Sequence, residues 1–222
     1  MPAPLPRLVL FDLDGTLVDS APDLAGTAND MRSARGLAPL PYEALRPHAG
    51  SGARGMLGAA FAVAPGASAY EPLRDEFHAR YEQRMLSATR VFDAVWPLLD
   101  TLESHGLAWG IVTNKALRFA EPLTAALGLA QRAAVLIGGD STPHTKPHPA
   151  PLLEAARRVA VETARCVYVG DDARDMRAGR AAGMRTLAAA WGYLGVGADL
   201  DAWEADAVAG APTEVLKALD LA

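Results

Sequence analysis

The sequence predicts an α/β protein: a parallel sheet core flanked by helices, with a small all-helical domain inserted near its start. Short apolar runs alternate with longer segments of helical periodicity, the pattern of parallel strands joined by crossover helices. Between residues 20 and about 90, in contrast, there is no convincing strand, only helical patterns broken by Gly and Pro. That interval is too long for a strand-to-helix loop and too regular for disorder. A chain of 222 residues accommodates one sizeable α/β domain together with such an insertion.

Each element has a local reason. Strands are expected at residues 8–12, 108–113, 134–138, 166–170 and 185–189, where apolar runs are short, with a last one at 207–209. Helices are expected at 94–104, 116–127, 150–159, 173–182 and 213–219. Gly106, Gly128 and Gly183 each follow a helix, where glycine relieves the left-handed strain of a C-terminal cap. Inside the long interval, Ser20-Ala-Pro-Asp23 resembles a capping box with proline near the first helical position. Leu24, Ala28 and Met31 then recur at helical spacing until Gly36 and Pro39 end the run. Two further helical patterns surround residues 56–61 and 73–85. The expected division is therefore a core of residues 1–15 and 91–222 and an inserted helical domain of residues 16–90.

Half of the residues are hydrophobic and the mean hydropathy is +0.08, so the chain can build a packed core. The net charge of −5 argues against a nucleic-acid partner or an anionic membrane surface, while local basic residues remain free to bind a small anion. The single cysteine, Cys166, sits in an apolar stretch and reads as a core residue rather than a nucleophile. Without a possible intramolecular disulfide the chain suits a reducing compartment. Its start, Met-Pro-Ala-Pro-Leu-Pro-Arg, lacks the basic beginning and apolar centre of a signal peptide, and no apolar run reaches membrane-spanning length. The expected location is the cytoplasm. Monomer and homodimer both remain open.

Four clusters of polar residues follow expected strands. The first strand ends in Asp12-Leu-Asp14-Gly-Thr, two carboxylates that repel each other unless a cation lies between them. The same residues also suit an ordinary turn. Thr113-Asn114-Lys115 ends the second strand, where a hydroxyl and an amide can donate to a phosphate oxygen or, equally, cap the next helix. After the third strand Lys146 lies in a proline-stiffened loop, placed to neutralise a phosphate or an aspartate. His144 and His148 flank it, but a zinc site is disfavoured there because the one cysteine is distant. The fourth strand ends in Gly170-Asp171-Asp172, with Asp175 one helical turn on. Asp171 is best placed to share a cation with Asp12, and Asp175 to support it from behind. Asp172 and Asp175 also suit a helix N-terminus. Parallel strands bring all their C-terminal ends to one edge, so the four clusters meet in one crevice.

In these four motifs and their order, spanning residues 8–175, the sequence resembles the haloacid dehalogenase superfamily of phosphotransferases. The resemblance implies a Rossmann-like core, a helical cap in the inserted segment, Mg²⁺ and a phosphoaspartyl intermediate. It makes Asp12 the nucleophile and Asp14 the general acid and base. Thr113, Asn114 and Lys146 bind the phosphate, and the metal is held by Asp12, Asp14 (through its backbone carbonyl) and Asp171. Phe-Asp-Leu-Asp-Gly-Thr-Leu-Val-Asp-Ser-Ala-Pro-Asp, Val-Thr-Asn-Lys and Lys-Pro-His-Pro-x-Pro-Leu are similar to strings of phosphoglycolate phosphatases. Gly52-Ala53-Arg54 and Arg-Phe-Ala-Glu-Pro at 118–122 are similar to strings of N-acetylmuramic acid 6-phosphate phosphatases. Both substrates are small phosphorylated metabolites carrying a carboxylate, for which Arg54 offers a donor fork; Arg54 suits an ion pair within the cap equally well. A sugar-phosphate mutase would use the same motifs. A non-catalytic phospholigand-binding module is the reading that loss of Asp12 or Asp14 would favour, and both are present.

Overall fold

The computed structural model describes residues 6–221. The remaining positions, five at the start and Ala222, belong to the segments expected to form the core and lie outside the described residues. In chain order the strands are β1 (Leu8–Phe11), β2 (Val18–Asp19), β3 (Arg90–Val91), β4 (Ala108–Val112), β5 (Leu136–Ile137), β6 (Cys166–Gly170), β7 (Arg185–Ala189) and β8 (Ala207–Ala209). The α-helices are α1 (Ala21–Ser33), α2 (Tyr42–Leu45), α3 (Gly52–Phe61), α4 (Tyr70–Arg84), α5 (Val95–Ser104), α6 (Leu117–Ala126), α7 (Ala150–Val159), α8 (Ala173–Ala181) and α9 (Glu214–Ala218).

Six strands form one sheet in the order β5-β4-β1-β6-β7-β8, every neighbouring pair parallel. This is the Rossmann-like sheet that the motifs imply. β1 lies inside it, so Leu8, Val9, Leu10 and Phe11 are all fully buried. Val9 and Phe11 pack with Leu98, Leu99 and Ile111 on one face, and Leu8 and Leu10 with Val112, Leu152 and Tyr168 on the other. Burial on both faces explains why the sequence shows a continuous apolar run instead of alternation. Each such side chain contributes about 1.5–3 kcal/mol relative to exposure.

From β1 the chain continues to β4 and β5 on one side, then crosses to β6 on the other. A doubly wound sheet opens a crevice at that reversal, beyond the C-terminal ends of its strands. The register places it: Phe11 pairs with Ile111 and Val169, so the residues that follow all three strands emerge at one level.

Between β2 and β3 the chain forms only helical elements, with an apolar core built from Leu24, Met31, Leu45, Met56, Phe77 and Tyr81 among others. β2 and β3 pair antiparallel, Val18 with Val91 and Asp19 with Arg90, and close the neck of this insertion. The sequence shows neither strand, because two residues carry no periodicity. The expected strand at 134–138 is reduced to Leu136–Ile137, an edge strand paired only with β4. Beyond it the chain turns, with the Gly138 N–H donating to Ser141 Oγ.

The expected capping box at Ser20 and Asp23 does not form. The N–H groups of Ser20 and Ala21 donate instead to Tyr193 Oη, at 2.7 and 2.9 Å. Ser20 Oγ is spent on Asp14, and Asp23 accepts from the N–H groups of Ala88 and Thr89 and from the Thr89 hydroxyl. Partners distant in sequence outcompete the local cap. Cys166 is buried, and burial pushes its thiol up to about 11, as befits a core residue. Among the described residues no helix is long and apolar enough to cross a membrane.

Candidate active site

The C-terminal ends of β1, β4 and β6 and the loop before α7 bring Asp12, Asp14, Thr113, Asn114, Lys146, Asp172 and Asp175 to one cavity of about 260 Å³. Asp171 is buried behind them. The insertion supplies the opposite wall through Leu24, residues 50–53, Phe77, His78 and Tyr81.

Oxygens of Asp12, Asp171 and Asp175 lie within 4.8 Å of one another. A small divalent cation with ligands at about 2.1 Å spaces opposite ligands about 4.2 Å apart, so the trio fits a hard cation. A second observation supports the fit. Asp12 Oδ1 is buried and, among the described residues, accepts no hydrogen bond of good geometry; it faces the Lys146 ammonium at 2.9 Å as an ion pair. Asp171 is closely cradled: Thr16 Oγ1 donates to Oδ1 at 2.9 Å and the Tyr193 N–H to Oδ2 at 2.7 Å. A Cβ on Gly15 or Gly192 would fall 2.2 Å from an Asp171 atom, and Gly15 has φ +88°. Burial, then the charges of Asp12 and Asp175, push the Asp171 carboxyl well above the usual carboxylate range. A cation among the three acids removes that penalty.

Lys146 is not the solvated loop residue that surface statistics favour: it is only 3% exposed. Its ammonium lies 2.7 Å from Asp175 Oδ1, donates to Tyr168 Oη at 2.7 Å and to the Val112 carbonyl at 3.0 Å. Burial alone would lower its pKa, but Asp12 and Asp175 outweigh burial and raise it. Asp175 goes up as well, because its burial and the nearby Asp12 charge exceed the help of Lys146.

Asn114 holds this lysine from the backbone. Its Oδ1 accepts from the Lys146 N–H at 2.9 Å and its Nδ2 donates to the Lys146 carbonyl at 3.0 Å. Neither Thr113 nor Asn114 caps α6; Asp140 Oδ1 takes the Leu117 N–H instead. Thr113 lines the cavity and accepts from the Lys115 N–H. Asp172 and Asp175 do form a capping box at α8. Asp172 also pairs with Arg174, whose Nη2 reaches the Gly50 carbonyl of the insertion at 2.8 Å.

The structure does not bring Arg54 to the site. It is exposed on α3 and absent from the cavity wall, which residues 50–53 reach instead. His144 and His148 stack at 4.3 Å, and neither joins the acidic trio. Asp14 stands apart from the trio as well: its carboxylate accepts from Lys115 Nζ at 3.0 Å on both oxygens and from Ser20 Oγ at 2.5 Å. Lys115, Ser20 and Tyr81 are the residues that sequence reasoning passed over. Lys115 stands in the Thr113-Asn114-Lys115 string itself, but its direction off the strand end is a tertiary property.

A family model described as haloacid dehalogenase-like hydrolase matches residues 6–183. A phosphoglycolate phosphatase of Xanthomonas campestris pv. campestris is 50% identical over 95% of this chain and 95% of its own. An N-acetylmuramic acid 6-phosphate phosphatase of Pseudomonas aeruginosa is 41% identical over 97% of this chain and 96% of its own. A crystal structure from Haemophilus somnus 129PT, described as a "predicted phosphoglycolate phosphatase", superposes with a TM-score of 0.84 at 25% identity, covering 96% of this chain and 97% of that one. The six-stranded parallel sheet, the acidic trio at its edge and these relatives agree, and the chain belongs to the haloacid dehalogenase-like hydrolases, as one of the family's phosphatases.

Proposed function

We propose that this phosphatase hydrolyses small phosphate monoesters with Mg²⁺ through an aspartyl-phosphate on Asp12, the inserted helices of residues 16–90 acting as a cap over the site. The observation that carries the reading is Asp12 Oδ1, a buried carboxylate oxygen without a hydrogen bond, on a residue that lines the cavity. With that oxygen turned toward the acidic trio, the other carboxylate oxygen of Asp12 can attack phosphorus in line with the departing oxygen. Asp14 gives a proton to the leaving alkoxide, then takes one from the water that cleaves the acyl phosphate. Lys146, presented by Asn114, and the Thr113 hydroxyl stabilise charge spreading over the phosphoryl oxygens. Asp12 and Asp171 would hold the metal, with Asp175 beside them and the Asp14 backbone carbonyl added by the family pattern. When bound, the ion reduces repulsion between the Asp12 carboxylate and the phosphoryl group.

The proposed substrate is phosphoglycolate or a close carboxylated analogue, and the proposed setting the cytoplasm. A second reading, N-acetylmuramic acid 6-phosphate, draws support from the Pseudomonas relatives, 41 and 42% identical over 97% of this chain, and from the apolar wall of Leu24 and Phe77. Arg54 has no place in either reading while it stands outside the wall. Hydrolysis of both compounds with Mg²⁺ at matched concentration decides between them. The first reading expects a kcat/KM for phosphoglycolate at least about tenfold the higher, a difference of about 1.4 kcal/mol in transition-state binding. The reverse order overturns it in favour of the amino sugar. Failure of both, with hydrolysis of 4-nitrophenyl phosphate intact, rejects the substrate class and leaves the chemistry standing.

A further inference from the structure

Lys115 has no counterpart in the roles assigned above, yet its ammonium, on the cavity wall, is fully engaged by protein groups. An ammonium has three donors. Here two point to Asp14, at 3.0 Å to each oxygen, and the third to Tyr81 Oη at 2.9 Å. Lys146 is as fully engaged, but its partners include Asp12, whereas those of Lys115 are Asp14 and the helices of the insertion. Asp14 Oδ1 also accepts from Ser20 Oγ at 2.5 Å, where the chain enters α1. The carboxylate is therefore gripped from two sides.

The third donor gives the arrangement its meaning. Tyr81 belongs to α4 of the insertion, whereas Lys115 and Asp14 belong to the sheet edge. Tyr81 stacks on Phe77 with ring centroids 6.1 Å apart and meets Phe119 of α6 edge-on at 5.7 Å. The ammonium also lies 4.7 Å from the centre of the Tyr81 ring. Lys115 thus joins Tyr81 of α4 to both carboxylate oxygens of Asp14 through one ammonium.

We propose that Lys115 is a positioning residue: it aims the Asp14 carboxylate at the leaving-group oxygen, and Tyr81 makes that aim depend on the insertion being seated over the site. The inference rests on the assignment of Asp14 as the proton donor. Lys115 acts on Asp14 and not on substrate, so its loss follows the leaving group's need for a proton.

The test uses the full chain with Mg²⁺ and two substrates: phosphoglycolate, whose alkoxide needs a proton, and 4-nitrophenyl phosphate, whose phenolate does not. Lys115→Met is expected to lower kcat/KM for phosphoglycolate, which reads phosphoryl transfer before the shared hydrolysis of the aspartyl phosphate, about 10²-fold, the cost of misplacing a catalytic group by about an ångström. The loss for 4-nitrophenyl phosphate stays below about fivefold, and Asp14→Asn/Lys115→Met is no slower on phosphoglycolate than Asp14→Asn alone. Tyr81→Phe keeps the ring, deletes one oxygen, and is expected to cost about five- to tenfold on phosphoglycolate only, about the worth of one hydrogen bond. It also decides the matter if Lys115→Met does not fold. A rise in KM on both substrates with unchanged kcat, or losses that multiply with Asp14→Asn, would show Lys115 touching substrate and overturn the proposal. Parental rates for Tyr81→Phe would overturn the link to the insertion. Equal losses in kcat/KM on both substrates for Asp14→Asn itself would remove the acid assignment, and with it this inference, by a separate measurement.

Discussion

Asp12→Asn is expected to abolish turnover of every phosphate ester, by a factor on the order of 10⁴–10⁶, while leaving the fold at its parental stability. The two halves of this result come from different parts of the site. The rate falls because an amide oxygen is a poor nucleophile and cannot carry the phosphoryl group. Stability is kept because Asp12 belongs to a trio of buried or half-buried acids in which each carboxylate raises the cost of the others. Replacing one with a neutral isostere relieves repulsion, which offsets the loss of the Asp12–Lys146 ion pair at 2.9 Å, and Lys146 keeps Asp175 at 2.7 Å as its partner. The metal-free melting temperature should stay within the range of ordinary surface substitutions, about 0.5 kcal/mol either way. The stabilisation that Mg²⁺ gives the parent, which grows with the logarithm of its concentration above Kd, should shrink. Rates on 4-nitrophenyl phosphate and thermal melts with and without Mg²⁺ measure both. Residual turnover within tenfold of the parent would leave no role for Asp12 as nucleophile.

Lys146→Met should lose activity and stability together. The ammonium is the cation that meets Asp175 directly, and both residues are almost wholly buried. Breaking such a pair from one side leaves an uncompensated charge and costs about 3–5 kcal/mol. For a chain of this size that corresponds to a fall of about 10 °C in Tm. Tyr168 Oη loses the ammonium as donor at the same time, while the Val112 carbonyl keeps the Tyr168 hydroxyl at 2.9 Å. On the reaction side, the charge facing the phosphoryl oxygens disappears, for which a loss of about 10²–10³-fold in kcat is expected. Calorimetry and steady-state kinetics on the same preparation measure the two effects. A parental Tm would show that Lys146 is not structurally paired as described, and parental kcat would remove it from the phosphate site.

Legibility in the sequence varied with how local each cause is. β6, β7 and β8 and α7 have the expected bounds, because each is an apolar or amphipathic run with a glycine, a proline or a charged residue at one boundary or more. The six parallel strands and their shared edge follow from the alternation of such runs, and that edge is why Asp12, Thr113, Lys146 and Asp171 could be gathered on paper. β2 and β3 escaped because a two-residue strand has no period to detect. Ser20 and Asp23 look like a local cap, yet Asp14, Tyr193 and the backbone of Ala88 and Thr89 decide their hydrogen bonds from elsewhere in the fold. Asp175 belongs to the acidic trio itself, whereas its place in the helix led the sequence to expect it behind Asp171. Arg54 illustrates the opposite limit: a fitting residue type beside flexible glycines, on the wrong side of its helix for the cavity. Lys115 and Tyr81 come from separate elements, and their meeting at Asp14 depends on how α4 packs over the sheet.

The most direct test of the account is chemical trapping of the phosphorylated protein. Asp14→Asn supplied with 4-nitrophenyl phosphate and Mg²⁺ should still be phosphorylated, since this leaving group needs no acid, but should hydrolyse the acyl phosphate slowly because the water lacks its base. Quenching and borohydride reduction convert an aspartyl phosphate to homoserine, which peptide mass spectrometry locates. The account predicts homoserine at position 12, dependent on substrate and metal. Homoserine at another acid, or none while product is still released, contradicts it.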